Sequence, residues 1–150
     1  MKKYLLISMF FILLLAACGQ NDDQKAEEVN FLDPIEVQLT NQTELMVNED
    51  IVTQAFVSQN NTPVSDAEEV FFEIWQHGNP DTYRSVEALA KGEGLYEVIW
   101  SANEDGVYYV FYHVTANGMH RMEKHQFVIG DVDVERILAT PDEKPKKHMH

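Results

Sequence analysis

Outside its first seventeen residues the sequence has four methionines, Met46, Met119, Met122 and Met149. All but Met46 stand within three residues of a histidine, in Met119-His120-Arg121-Met122-Glu123-Lys124-His125 and in His148-Met149-His150. Thioether and imidazole donors together suit copper, the thioether favouring the reduced ion and the imidazole the oxidised one. His113 joins the group if Asn117-Gly118 forms a two-residue hairpin turn, for which Asn-Gly is a strong signal. Ala116 then faces Met119, Thr115 faces His120, and His113 faces Met122. His113, Thr115, His120 and Met122 would share one face of the hairpin on adjacent strands. Counted from an inward Tyr108, that face points outward. His125 has the other parity and falls opposite Val110, where a satisfied core histidine is the competing reading. The candidate ligands are therefore His113, His120, Met122 and His125, with His148, Met149 and His150 in the tail. A plainer alternative stays open: histidines near a hairpin tip are commonly solvated, methionines commonly fill gaps, and a charged tail can serve solubility alone.

Other chemistry is hard to find. Gly-x-Ser-x-Gly, a phosphate-cradling glycine loop, His-Glu-x-x-His and Cys-x-x-Cys are all missing. The expectation is a non-enzyme that requires no cofactor, with copper as the metal to test. The chain has 150 residues, about one domain's worth, with a formal net charge of -14. Without residues 1–17, which carry Lys2 and Lys3 and no acid, 9 basic residues face 25 acidic ones, a net charge of -16. So acidic a domain is repelled by nucleic acid and attracts cations. Asp22-Asp23, Glu27-Glu28 and Glu68-Glu69 read as solvated surface.

The start of the chain carries an address. Lys2 and Lys3 precede an apolar run from Leu5 to Leu15, and Leu15-Ala16-Ala17-Cys18 follows. Basic, apolar and small residues in that order form a secretory signal. The run is shorter than the ~20 residues that span a bilayer. Leu-Ala-Ala-Cys resembles the lipobox of bacterial lipoproteins, which implies cleavage before Cys18 and diacylglycerol on its sulfur. The expected division is a signal peptide at 1–17, a lipidated Cys18 with a flexible polar tether to residue 30, a domain at 31–136 and a charged tail at 137–150. The expected location is the extracytoplasmic face of a bacterial cell membrane.

The elements that must position these donors read as strands. Ile35-Glu36-Val37-Gln38-Leu39 alternates apolar and polar residues, as a strand with one buried face does. Ile51–Ser58 and Val70–Gln76 are β-branched and aromatic, with turn chemistry at Asn60-Asn61-Thr62-Pro63 and at Gly78-Asn79-Pro80-Asp81. Residues 83–91 fit either a short helix or a strand; the glycines of Gly92-Glu93-Gly94 favour a strand entering a hairpin. Gly94-Leu95-Tyr96-Glu97-Val98-Ile99-Trp100 is echoed by Gly106-Val107-Tyr108-Tyr109-Val110-Phe111-Tyr112. The pattern predicts an all-β, immunoglobulin-like β-sandwich of about seven antiparallel strands. Cys18 is the single cysteine, so no intramolecular disulfide can form and apolar packing must join the sheets. Trp75, on a central strand, is the expected centre of that packing.

Glu104-Asp105-Gly106-Val107-Tyr108 resembles the acidic-x-Gly-x-Tyr corner of immunoglobulin-like domains, with Val110 where antibody domains place cysteine. With the lipobox, the tether, the Gly-x-Tyr strands and His113-Val114-Thr115-Ala116, residues 31–130 resemble the YtkA-like domain family of small extracytoplasmic bacterial proteins. That likeness implies the sandwich, which is similar to that of small periplasmic copper carriers. Two functions compete. One is a lipid-anchored protein that binds or delivers copper. The other is a protein-interaction module of an envelope or respiratory-assembly complex with no metal role. Outward Tyr109 and Phe111 are the feature of the second, because an exposed aromatic patch marks a partner.

Overall fold

The computed structural model describes residues 33–41 and 44–143. The expectations for the leader, Cys18, the tether, His148, Met149 and His150 fall outside the described residues. The described chain forms β1 (Glu36–Asn41), β2 (Ile51–Gln59), β3 (Thr62–Pro63), β4 (Glu69–Gln76) and β5 (Asn79–Glu87). Then come β6 (Leu89–Gly92), β7 (Leu95–Trp100), β8 (Gly106–Ala116), β9 (Met119–Ile129) and a short helix α1 (Val134–Leu138). One sheet has the order β1-β2-β7-β6 with β3 beside β2, and the other β5-β4-β8-β9. All pairings are antiparallel. With strands lettered in the immunoglobulin manner, these are an A-B-E-D sheet and a C′-C-F-G sheet.

Period-two patterning explains the two layers. Ile51, Thr53, Ala55 and Val57 of β2 face Val70, Phe72 and Ile74 of β4 and Tyr108, Val110, Tyr112 and Val114 of β8 across a sealed core. Residues 83–91 are extended, and the chain changes sheet within them. Ala88 still donates its N–H to the Val70 carbonyl at 2.9 Å, while Leu89 pairs in the opposite sheet. The sequence echo has a structural counterpart. Tyr96 and Tyr108 are both buried, and each hydroxyl donates to a backbone carbonyl, Val64 at 3.0 Å and Glu104 at 2.8 Å. The second bond is the corner expected from Glu104–Tyr108. Tyr108→Phe should leave the Glu104 carbonyl without this donor and cost about 1 kcal/mol in urea unfolding. An unchanged midpoint would show that the corner bond adds nothing.

Two expectations need correction. Trp75 is buried, but not between the sheets: inward positions on β4 are Val70, Phe72 and Ile74, so Trp75 lies on the outer side. The inter-sheet tryptophan is Trp100, whose indole donates to Thr53 Oγ1 at 2.9 Å. Nor is the Tyr109 face open. Tyr109 is 6% exposed, packed with Trp75, Val107, Tyr83 and Phe111 beneath Val134 and Ile137 of the C-terminal segment. That segment is pinned at several points. Asp133 caps α1 through Arg136 N–H at 3.1 Å, and Trp75 Nε1 donates to Asp142 at 3.3 Å. His77 Nε2 donates to the Thr140 carbonyl at 3.0 Å, which leaves Nδ1 to accept from the Tyr109 hydroxyl at 2.9 Å. Packed structure thus runs on past Arg136 as far as Asp142.

Candidate functional site

The turn at Asn117-Gly118 has φ of 52° and 72°, as a two-residue hairpin with both central residues left-handed requires. It sets the register read from the sequence: Ala116 opposite Met119, Thr115 opposite His120, and His113 opposite Met122. Because β4 lies on the other side of β8, three-residue rows cross the outer face of this sheet. They are Glu69–Thr115–His120, Phe71–His113–Met122, Glu73–Phe111–Lys124 and Trp75–Tyr109–Gln126. The first two rows bring together the donors His113, His120 and Met122.

His113 is held tightly. Its ring stacks on Phe71 at 4.3 Å between centroids with 4° between planes, and meets Phe111 edge-on at 4.5 Å. Its Nε2 lies 3.3 Å from Glu73 Oε2, and the other oxygen of Glu73 accepts from the Tyr83 hydroxyl at 2.8 Å. Burial, the bond to Glu73 and the Glu73 charge push Tyr83 up to about 12, so it remains a neutral donor at physiological pH. His120 is 5.7 Å from His113 between centroids, and its Nδ1 is 2.9 Å from Thr115 Oγ1, leaving Nε2 as the outward nitrogen. Met122 is 54% exposed. The face thus carries one fixed imidazole, one imidazole oriented through a hydroxyl, and an open thioether.

His125 sits opposite Val110 as the register requires, stacked on Tyr112 at 5.8 Å and 3.7 Å from Glu123. It lies on the inner side of the sheet's edge, apart from His113 and His120. Among the described residues no three His, Cys, Asp or Glu side chains form a ready cage for a metal ion. Sequence reasoning missed Glu73, Phe71 and Tyr83. Their positions depend on β4 pairing with β8, which no local pattern announces.

Two sheets in immunoglobulin order, a tyrosine corner and a core closed without a disulfide define the protein as a small extended-chain sandwich domain. The model of the YtkA-like family matches residues 30–113, over half of the sequence, and the chain belongs to that family. The match ends at His113, so His120 and Met122 on the return strand lie beyond it. No curated protein matches the chain. Among solved structures, an engineered protein is similar at 13% identity and a TM-score of 0.48, over 63% of this chain and 20% of that one. The endo-beta-1,4-mannanase from Thermotoga petrophila is similar at 13% identity and 0.45, over 65% and 20%. The chain therefore spans about a fifth of the length of these two. A superoxide reductase (neelaredoxin) from Ignicoccus hospitalis shows 11% identity and 0.42, over 73% of this chain and 93% of that one.

Proposed function

We propose that the protein is a non-enzymatic lipoprotein, anchored through Cys18 at the extracytoplasmic face of a bacterial membrane, that binds copper as cargo through His113, His120 and Met122. The observation that carries the metal assignment is the shared outer face: two imidazoles 5.7 Å apart with a thioether directly opposite one of them. Glu73 supports it, because metal-ligating imidazoles are commonly oriented by a carboxylate. The net charge of -14 raises the local concentration of cations without choosing among them. The anchor rests on the order of basic, apolar and small residues before Cys18. No helix among the described residues is long and apolar enough to cross a membrane.

The test separates the hairpin from the tail, since His148-Met149-His150 can capture copper by itself. In a chain with those three residues changed to alanine, copper should still bind saturably at micromolar concentration. Adding His113→Ala, His120→Ala and Met122→Ala should weaken binding by about 100-fold or more, since even an orienting partner is worth about 10–100-fold. The far-UV spectrum should not change, because Met122 is exposed and the core lies on the other side of the sheet. If the tail-substituted parent binds neither copper oxidation state, the metal reading fails. A second reading, the interaction module, is then favoured by exposed Leu89 and Ile99, which flank Glu97 on the outer side of the opposite sheet.

A further inference from the structure

The return strand of the hairpin ends its sheet. β9 closes the order β5-β4-β8-β9, and among the described residues no strand pairs along its other side. His120, Arg121, Met122, Glu123 and Lys124 are all exposed. Ala116 and Met119 flank a two-residue turn, so they form the hydrogen-bonded type of pair. Alternation from that pair turns the backbone N–H and C=O groups of His120, Met122 and Lys124 away from β8, toward the open edge. The Val107 carbonyl fits the same alternation: it points to the β4 side of β8, where it accepts from His77 N–H at 2.8 Å. An unpaired edge of this kind is a template for another strand.

Charge decides how β9 can pair with itself across a two-fold axis. An axis through Arg121, Glu123 or Lys124 sets a like charge against itself, which is destabilising. An axis through His125 or Gln126 sets Glu123 against Phe127 or Ile129. An axis through Met122 sets Arg121 against Glu123 of the second copy twice over, and joins residues 119–125 of both. Within one copy Arg121 and Glu123 already lie 3.6 Å apart, so positive and negative groups would alternate across the axis. Lys124 does not obstruct this register, because its ammonium is turned back over the Tyr109 ring, 4.1 Å from the centroid. Met122 has its N–H and C=O on the open side, and a hydrogen-bonded pair of that type brings the two Cα atoms to about 5.5 Å. Both thioethers then stand side by side on the face of His113 and His120.

We propose that copper joins two copies of the chain by antiparallel pairing of β9 about Met122, each copy completing the other's site with a thioether. The metal in this pairing rests on the function proposed above; the register rests on the open edge and the charges. Two such acidic chains, at -14 apiece, repel each other, and a cation held between them offsets that repulsion. Pairing is therefore expected with copper and not without it. A second thioether also favours the reduced ion over the oxidised one.

Sedimentation velocity tests this on the full chain with His148, Met149 and His150 changed to alanine, in density-matched detergent with micelles in excess. Reduced copper should shift the species from one chain to two, and a chelator should reverse the shift. Met122→Ala should abolish it. Arg121→Glu alone, or Glu123→Arg alone, should stay at one chain with copper, because each variant meets like charges across the axis. An equimolar mixture of those two variants should recover the two-chain species, since opposite charges then face each other. Two chains formed by either charge variant alone, or a mixture left at one chain, would overturn the pairing. Copper bound by a parent that stays at one chain sinks the pairing and spares the hairpin reading. If the parent binds no copper, the hairpin reading fails and the shared site fails with it.

Discussion

Trp100→Ala should cost the domain about 3–5 kcal/mol, the usual range for deleting a buried aromatic. Trp100 is 3% exposed, tilted against Tyr108 at 5.8 Å, with the Arg84 guanidinium 6.0 Å from its ring. Its indole N–H is the partner of Thr53, which has no exposure at all. The substitution therefore opens a cavity and leaves a buried hydroxyl without this bond, and both effects have the same sign. A domain with about 5–15 kcal/mol of total stability would lose much or all of it. Trp75→Ala should behave differently. It removes an aromatic from the smaller outer cluster and the donor to Asp142, so its main effect should be release of the segment from Val134 to Asp142. Urea unfolding compares the two global costs, and limited proteolysis near Ile137 reports the release. If Trp75→Ala costs as much as Trp100→Ala and leaves the segment protected, the division into inner and outer tryptophans is wrong.

How much of this was legible in the sequence follows from the range of each interaction. The hairpin of β8 and β9 is local, and Asn117-Gly118 set its register to the residue, so the grouping of His113, His120 and Met122 could be read directly. The corner at Tyr108 is likewise local, reaching back only to Glu104. Trp75 was misplaced for a different reason. The run Val70-Phe71-Phe72-Glu73-Ile74-Trp75 is apolar on both sides, so period two alone could not say which side is the core. What covers the outer side comes from Val134 and Ile137, about sixty residues later, where a five-residue helix offers too short a pattern to recognise. The same distance hid the burial of Tyr109. Glu73 escaped notice because a lone acid in an aromatic strand reads as solvent-facing; only the pairing of β4 with β8 places it against His113.

Cys18→Ser should move the protein from the membrane fraction to the soluble fraction or leave its precursor uncleaved. The apolar run Leu5–Leu15 is too short to hold a mature protein across a bilayer, and the described domain supplies no spanning helix. Its charge repels anionic headgroups, so electrostatic surface attraction would not hold the domain at such a membrane. Lipid would. Each buried methylene contributes about 0.8 kcal/mol, which makes one acyl chain marginal and two chains stable. Serine is close to cysteine in size and removes the sulfur that the proposed lipidation requires. Intact mass of the membrane-extracted wild-type chain should show loss of residues 1–17 and the added lipid on Cys18. For Cys18→Ser, the lipid mass should vanish, and any membrane-bound remainder should retain residues 1–17. A wild-type chain that is membrane-bound, cleaved before Cys18 and unmodified on its sulfur would overturn the anchor. Copper binding by the hairpin would then need another explanation for how the protein keeps its cargo at the membrane.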